Sequence, residues 1–244
     1  MRRRDFIKAT AAVTTTWPLA LRAEQSERMR RIGVLMNPEP NEDSQAALSA
    51  FVRGLRELGW TDGSNVRIET RWAGGSASAI RKYAAELVAL APDVIFATGT
   101  VDMAPLLEAT RTVPIVFVQV ADPVGAGFIR SLARPGGNVT GFVQFEYSLS
   151  AKWLELLKQI APGMTQVAVL RDPAVTSGIG QFAVIESLAP SLGIDVIAVN
   201  VHDASEIKRD VASFASSGSG GLVLTASALA VVHRELIIAL AGEY

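Results

Sequence analysis

The chain has 244 residues, of which 49% are hydrophobic and 19% charged, with a formal charge of −1. That balance excludes a disordered chain and offers no basic face for nucleic acid. The absence of cysteine excludes a disulfide framework, a thiolate metal site, a cysteine nucleophile and a lipid-modified N-terminal cysteine. The length suits one large domain or two small ones.

Residues 1–23 read as an export signal. Arg2, Arg3 and Arg4 lead a short, mildly apolar, threonine-rich run that closes on Leu21-Arg22-Ala23. The run is too short and too polar to span a bilayer. "RRDFIK" resembles the twin-arginine motif, with Phe6, Ile7 and Lys8 in the expected places and Arg2 where Ser or Thr is usual. Cleavage is expected after Ala23. A basic, frayed N-terminus of a cytosolic protein is the plain alternative.

From residue 31 the pattern alternates. "RRIGVLMN" is a buried strand at residues 32–36. The loop "NPEPNED" follows, then a helix with Leu48, Phe51, Val52, Leu55 and Leu58 on one face and Gly59 ending it. "NVRIETRWA" is the second strand. Ser76 caps the next helix, whose face is Ile80, Tyr83, Ala84, Leu87 and Val88. "PDVIFATGT" is the third strand, followed by a helix over about residues 103–111, and "VPIVFVQV" is the fourth. Asp122-Pro123 reads as a helix start, with Asp as N-cap and Pro at the first helical position. "RPGG" is a turn and "NVTGFV" a short fifth strand. Alternation of this kind implies a parallel sheet covered by helices on both faces.

"SLSAKWLELLKQIAPG" is then an amphipathic helix with Leu149, Trp153, Leu156, Leu157 and Ile160 aligned, after which the pattern restarts. "QVAVLRDP" matches "RIGVLMNP", "LAPSLGIDVIAVNV" matches "LRELGWTDGSNVRIET", and "GGLVLTAS" matches "PDVIFATGT". In both halves a helix ends at Leu-Gly and a strand follows, after nearly equal lengths of chain. An internal period points to two similar lobes, joined near residues 142–150. It also bears on Gly178, Gly180 and Ala183, which spell G-x-G-x-x-A with Asp203 further on. In a dinucleotide site the first glycine sits in the turn directly after the strand. Here "RDPAVTS" intervenes, so the glycines are expected to loosen a helix start and Asp203 to cap the helix "ASEIKRDVASFA".

The blocks "IGVLMN", "FVRGLRELGW", "PDVIFATGT", "VPIVFVQVADPVGAGFIRSLARPGGNVTG", "AKWLELLKQIAP" and "VAVLRDP" resemble the ABC-transporter substrate-binding proteins of the tryptophan/tyrosine type. "ADPVGAGF" followed by "RPGGNVTG" is the most specific part. The resemblance implies a type I periplasmic-binding-protein fold: α/β, with two doubly wound parallel-sheet lobes at residues 31–145 and 146–244. It implies no cofactor, a periplasmic location, a small-molecule solute such as an amino acid or organic acid, an ABC permease as membrane partner, and a monomer when complete. Family members continue beyond this C-terminus, so the second lobe is expected to be incomplete.

Ligands of open α/β sheets sit outside the carboxyl ends of the strands. The loops concerned are residues 37–43, 98–102 and 121–124 in the first lobe, and 171–177 and 225–227 in the second. The candidate ligand-binding residues are therefore Asn37, Thr98, Gly99, Thr100, Asp122, Arg171, Thr225 and Ser227. "TGT" precedes a helix whose free amides suit a carboxylate; the plain alternative is that Thr100 or Asp102 caps that helix. Asp122 suits an ammonium or caps its own helix. Arg171 suits a carboxylate or pairs with Asp172. Thr225 and Ser227 offer hydroxyls, and Asn37 bonds a ligand or its own loop. Of the aromatic residues, Trp60 is expected over the sheet edge, Trp72 within reach of the cleft and Trp153 in the core. Phe142, Phe145 and Tyr147 lie near the crossover, where they could stack on a ligand.

Catalysis has little support. His202 and His233 lie in separate elements and fit neither H-E-x-x-H nor a Ser-His-Asp order, and no Walker loop is present. No ligand cluster for a metal assembles. The expected function is solute binding for an ABC transporter. A ligand-sensing module for a receptor and, further off, a Rossmann-like nucleotide-dependent enzyme are the alternatives.

Overall fold

The computed structural model describes residues 29–216, 218 and 220–243; the expected export signal lies outside the described residues. Lobe one contains β1 (Arg30–Met36), α1 (Glu42–Glu57), β2 (Val66–Trp72), α2 (Ala77–Ala89), β3 (Val94–Thr98), α3 (Thr100–Ala109), β4 (Ile115–Val120) and β5 (Val139–Val143). Its strands form one parallel sheet in the order β2-β1-β3-β4-β5. Strands such as Val34-Leu35-Met36 are apolar without alternation because both faces are covered. On one face Leu48, Phe51 and Leu55 of α1 pack over Ile32, Val34, Met36 and Val66, and the Phe51 ring stacks on Phe96 at 4.3 Å. On the other, Ile80, Ala84 and Leu87 of α2 and Met103 and Leu106 of α3 pack over Leu35, Ile95, Ile115 and Phe117. Each such aliphatic or aromatic side chain contributes about 1.5–3 kcal/mol when fully buried.

The helix starts follow local chemistry. Asn41 and Ser44 form a reciprocal capping box on α1, and Ser76 caps α2 by accepting from the Ala79 amide. Three expectations need correction here. Leu58 is 78% exposed, because it follows the last helical residue and leaves the apolar face of α1. The helix after β3 starts at Thr100, earlier than residue 103. No helix forms at Asp122-Pro123. Asp122 has φ +39°, not the extended backbone of an N-cap, and Gly125 and Gly127 each disfavour helix by about 1 kcal/mol relative to Ala. The segment makes a chain of turns instead, with Ala126 N–H donating to Asp122 O at 2.9 Å and Phe128 N–H to Pro123 O at 2.9 Å. Phe128 and Ile129 then pack on the lobe-one core, so a parallel crossover from β4 to β5 is made without a helix.

Lobe two contains α4 (Leu149–Ile160), β6 (Gln166–Arg171), α5 (Thr176–Leu188), β7 (Asp195–Asn200), α6 (Ala204–Ala215), β8 (Gly220–Leu224), α7 (Ala228–Val232) and α8 (Arg234–Glu243), with a 3-10 turn at Ala189–Leu192. Its strands form a separate parallel sheet in the order β7-β6-β8. That order repeats β2-β1-β3, as the internal period requires. Leu154, Phe182, Ile185 and Ile194 cover one face, and Ile207, Val211, Phe214, Ile237 and Leu240 cover the other.

The face assigned to α4 was partly misplaced. Trp153 and Leu157 pack on the core, but Leu154 is the fully buried residue, while Leu149 is 42%, Leu156 45% and Ile160 82% exposed. The helix rolls toward Ser150, which is buried because its hydroxyl donates to Tyr147 O at 2.7 Å and Gln181 O at 3.1 Å. The run "ALAVVHRELIIALAGEY", apolar enough for one continuous helix, is broken at His233 into α7 and α8.

Candidate functional site

Parallel register brings the carboxyl ends of β1 and β3 side by side, with Met36 opposite Thr98. Asn37 and Gly99 follow directly. The Asn37 amide donates to Thr98 Oγ1 at 3.3 Å, and that hydroxyl donates to Leu35 O at 3.3 Å. Asn37 is buried, and its Oδ1 has no partner. Gly99 precedes α3 with φ +123°, a backbone state that favours glycine. A Cβ on Gly99 would lie 3.8 Å from Asn37 Nδ2.

Behind this loop sits Asp102, completely buried. Its Oδ2 accepts from the Thr98 amide at 3.2 Å, and its Oδ1 has no partner. Burial holds its carboxyl well above the usual carboxylate range, with the Thr98 amide pulling the other way. Thr100 does not cap its own helix; its Oγ1 accepts from the Ala121 amide at 3.1 Å and ties α3 to the end of β4. Asp122 is next along the chain. Its Oδ1 accepts from the Gly125 amide at 2.7 Å and its Oδ2 from the Tyr147 amide at 3.2 Å, while its own N–H donates to Phe145 O at 2.8 Å. Asp122 therefore fastens both its own turn and the crossover between lobes.

In lobe two, Leu170 lies opposite Leu224. The Thr225 amide and hydroxyl both donate to Leu170 O, at 3.0 and 3.2 Å. Ser227 Oγ accepts from the Ala230 amide at 3.0 Å and caps α7. Arg171 pairs with neither a lobe-one group nor Asp172: its Nε donates to Asn200 Oδ1 at 3.0 Å and its guanidinium lies 4.2 Å from the Phe182 ring centre. The structure thus brings Asn37, Thr98 and Gly99 together, sets Thr100 and Asp122 beside Ala121, and turns Arg171 toward β7.

Three residues that sequence reasoning did not single out for polar contact lie at the start of α5. Gln181 is completely buried; its Oε1 accepts from the Ala226 amide at 2.7 Å, which leaves Nε2 as a donor without a partner. Thr176 Oγ1 and Tyr147 Oη are also buried without a hydrogen-bond partner. Burial raises the Tyr147 pKa. The Thr176 hydroxyl is near enough to ease that rise without hydrogen-bonding geometry, and the Asp122 charge adds to it. The Tyr147 ring rests on Gly180, where any Cβ would overlap it, and a Cβ on Gly178 would overlap the Asp172 carbonyl oxygen. Close approach, rather than a loosened helix start, explains both glycines. The sequence signal was the polar Gln181 inside "IGQFAVI".

Asp203 caps α6, accepting from the Ser205 and Glu206 amides at 2.8 and 2.9 Å. The G-x-G-x-x-A pattern thus has a packing cause and its acidic residue a capping one. Trp153 meets Phe145 edge-on at 5.6 Å, Trp72 packs on the lobe-one core, Trp60 is 40% exposed and Phe142 73% exposed. A surface hollow between β7 and α6 is lined by Ile197, His202, Glu206 and Phe214 among others and includes none of the unpartnered groups. Among the described residues no cluster of His, Cys, Asp and Glu could hold a metal ion, and no helix is long and apolar enough to cross a membrane.

Two parallel α/β sheets sharing one strand order, with a crossover beside the carboxyl ends of their strands, define the type I periplasmic-binding-protein class of fold. Within that class the chain belongs to the ABC transporter substrate binding protein family, whose sequence model matches residues 34–241. A tyrosine-binding protein of Clostridioides difficile is 28% identical over 189 residues, covering 77% of this chain. The chain spans about half of that relative, 54% of its length. Two solved structures share the fold. A conserved domain protein from Vibrio cholerae superposes with a TM-score of 0.78 at 24% identity, covering 88% of this chain and 72% of that one. The ABC domain in complex with L-Trp from Streptococcus pneumonia superposes with a TM-score of 0.75 at 22% identity, covering 87% of this chain and 70% of that one.

Proposed function

We propose that this chain is the solute-capturing component of an ABC importer, working outside the cytoplasm and holding an amino acid or small organic acid between its lobes. The observation that carries this reading is the placement of buried polar atoms without partners. They occur beside strand carboxyl ends in both lobes: Asn37 Oδ1 and Asp102 Oδ1 in one, Gln181 Nε2 and Thr176 Oγ1 in the other. An unpaired buried polar group costs about 1–3 kcal/mol, so a solute that satisfies groups on both lobes stabilises the closed arrangement. Differential affinity of that kind is what shifts a population between open and closed forms. No bond is made or broken in this scheme, and the captured solute passes to a membrane permease.

Asn37, Thr98, Gly99 and Thr100 with Asp122 form the lobe-one wall of the proposed site, and Thr225 and Ser227 support the lobe-two wall. Arg171 serves as an outer residue. The relatives point to aromatic or aliphatic amino acids as first candidates, since one is a tyrosine-binding protein and others were solved with L-Trp and Leu. The arginine-led start implies delivery by the twin-arginine route, and the binding unit acts as a monomer. A thermal-shift screen of amino and organic acids on residues 24–244 tests the reading. A saturable rise in melting temperature with one class of solute supports it; a flat response across the panel, amides included, sinks it.

A further inference from the structure

β2 and β7 hold the same outer place in the two sheets, and a bare sheet edge is a template for pairing with another chain. Lobe one closes this edge from within. The outward backbone groups of β2 are met locally: Val66 O accepts from the Gly63 amide at 2.9 Å, the Ile68 amide donates to Asp62 Oδ1 at 2.9 Å, and Thr70 O accepts from Arg71 Nη1 at 3.1 Å. The strand also carries Arg67, Glu69 and Arg71, and Arg71 Nε reaches Glu86 Oε2 of α2 at 3.1 Å. Charge along an edge discourages pairing.

β7 has none of this protection. Arg31 pairs with Arg67, and its counterpart Gln166 pairs with Asp195. The places of Glu69 and Arg71 are therefore taken by Ile197 and Val199. The Asp195 amide donates to Thr165 O at 2.8 Å and the Val201 amide to Arg171 O at 2.9 Å. Odd-numbered residues thus turn their backbone groups toward β6, and alternation turns those of Val196 and Ala198 outward. Among the described residues no hydrogen bond meets these two outward amides. Ile197 is 41% exposed. A hollow of about 550 Å³ lies beside the strand and touches residues 197–200 in succession. Successive strand residues face opposite ways, so the hollow follows the edge rather than one face. Its other wall includes Glu206, Arg209, Asp210 and Ser213, one stripe of α6 at helical spacing.

We propose that the β7 edge and this stripe form a docking surface for a second copy of the chain, the two edges pairing antiparallel about a two-fold axis. The occupant follows from charge. A two-fold axis sets the same patch against itself. β7 is uncharged after Asp195, so a pairing centred on the strand brings no like charges together. The stripe on α6 complements itself as well. A two-fold passing between residues 209 and 210 sets each Arg209 against Asp210 of the other copy, and Glu206 against the neutral Ser213. Arg209 holds its own Asp210 through Nε at 2.7 Å, yet its side chain is 67% exposed, and a guanidinium has five donors to share. The pairing joins two binding units side by side and leaves each its own cleft.

Sedimentation velocity on the full chain over a concentration series tests this, with three variants. Ala198→Pro removes the outward donor and leaves the ladder to β6 whole, because an edge strand tolerates proline where the missing amide faces out. Arg209→Asp sets like charges together across the axis. The double variant Arg209→Asp with Asp210→Arg restores opposite charges in reverse order. Circular dichroism checks that all three fold. The wild-type chain is expected to show a monomer–dimer equilibrium. Ala198→Pro and Arg209→Asp should each weaken it by at least about tenfold, and the double variant should recover most of the loss from Arg209→Asp. A wild-type monomer at every concentration overturns the proposal, and open-ended association overturns the two-fold pairing. A dimer that Ala198→Pro leaves intact, or that the double variant fails to restore, places the contact elsewhere and overturns it too.

Discussion

The two lobes share one strand order and treat the helix after their first strand in opposite ways. In lobe one, α1 starts with the reciprocal Asn41–Ser44 box, which satisfies backbone donors locally. In lobe two, α5 starts at Val175 without a side-chain cap and has two glycines that bring it against Tyr147 and the Asp172 carbonyl. The same difference runs through the buried polar groups. Lobe one leaves carbonyl-type oxygens unpaired, on Asn37 and Asp102, whereas lobe two leaves an amide nitrogen and two hydroxyls unpaired. The duplicated frames thus differ in the polar atoms they leave unpaired.

The comparison can be broken first at the cores. Phe117 is completely buried in lobe one; Phe117→Ala is expected to destabilise that lobe by about 3–5 kcal/mol. Two packed sheets need not unfold in one step. Urea unfolding followed by Trp153 and Trp72 fluorescence should therefore move the lobe-one transition and leave the lobe-two transition in place. Equal movement of both would show that the lobes stand or fall together.

A second variant acts on lobe two. Gly180→Ala sets a methyl against the Tyr147 ring and is expected to lower stability by about 1–3 kcal/mol. The double variant with Tyr147→Ala should recover part of that loss in a mutant cycle; strict additivity would mean that the close approach is not what glycine serves.

The third effect is a slope rather than a midpoint. Burial raises the folded-state pKa of Asp102 above its ordinary value of 3.8. The folded chain then holds that proton more tightly than the unfolded chain. The contribution is complete below the ordinary value and is lost as pH climbs through the raised one. Asp102→Asn should flatten this fall in lobe-one stability, measured as the urea midpoint against pH. An unchanged slope would mean that another group carries it.

Much of the fold was legible because buried parallel strands are apolar runs and because each half repeats the other. Where reading failed, a polar residue was doing structural service. The face of α4 was drawn through Leu149, Leu156 and Ile160, but Ser150 is buried by two hydroxyl bonds and turns the helix toward Leu154. Asp122 does cap backbone amides, as expected, yet from a left-handed residue followed by glycines, so no helix grows from it. The loops that follow the strand carboxyl ends were legible from the strands themselves. The unpaired atoms of Gln181, Thr176 and Tyr147 were not legible, because a missing partner is a property of the folded surroundings and leaves no mark on the residue itself.

Among the described residues the polypeptide passes from one sheet to the other once, through residues 144–148, and Asp122 clasps that strap at Phe145 and Tyr147. Asp122 holds that passage through both its backbone and its side chain, so a substitution at residue 122 acts on the link between the sheets as well as on its own turn.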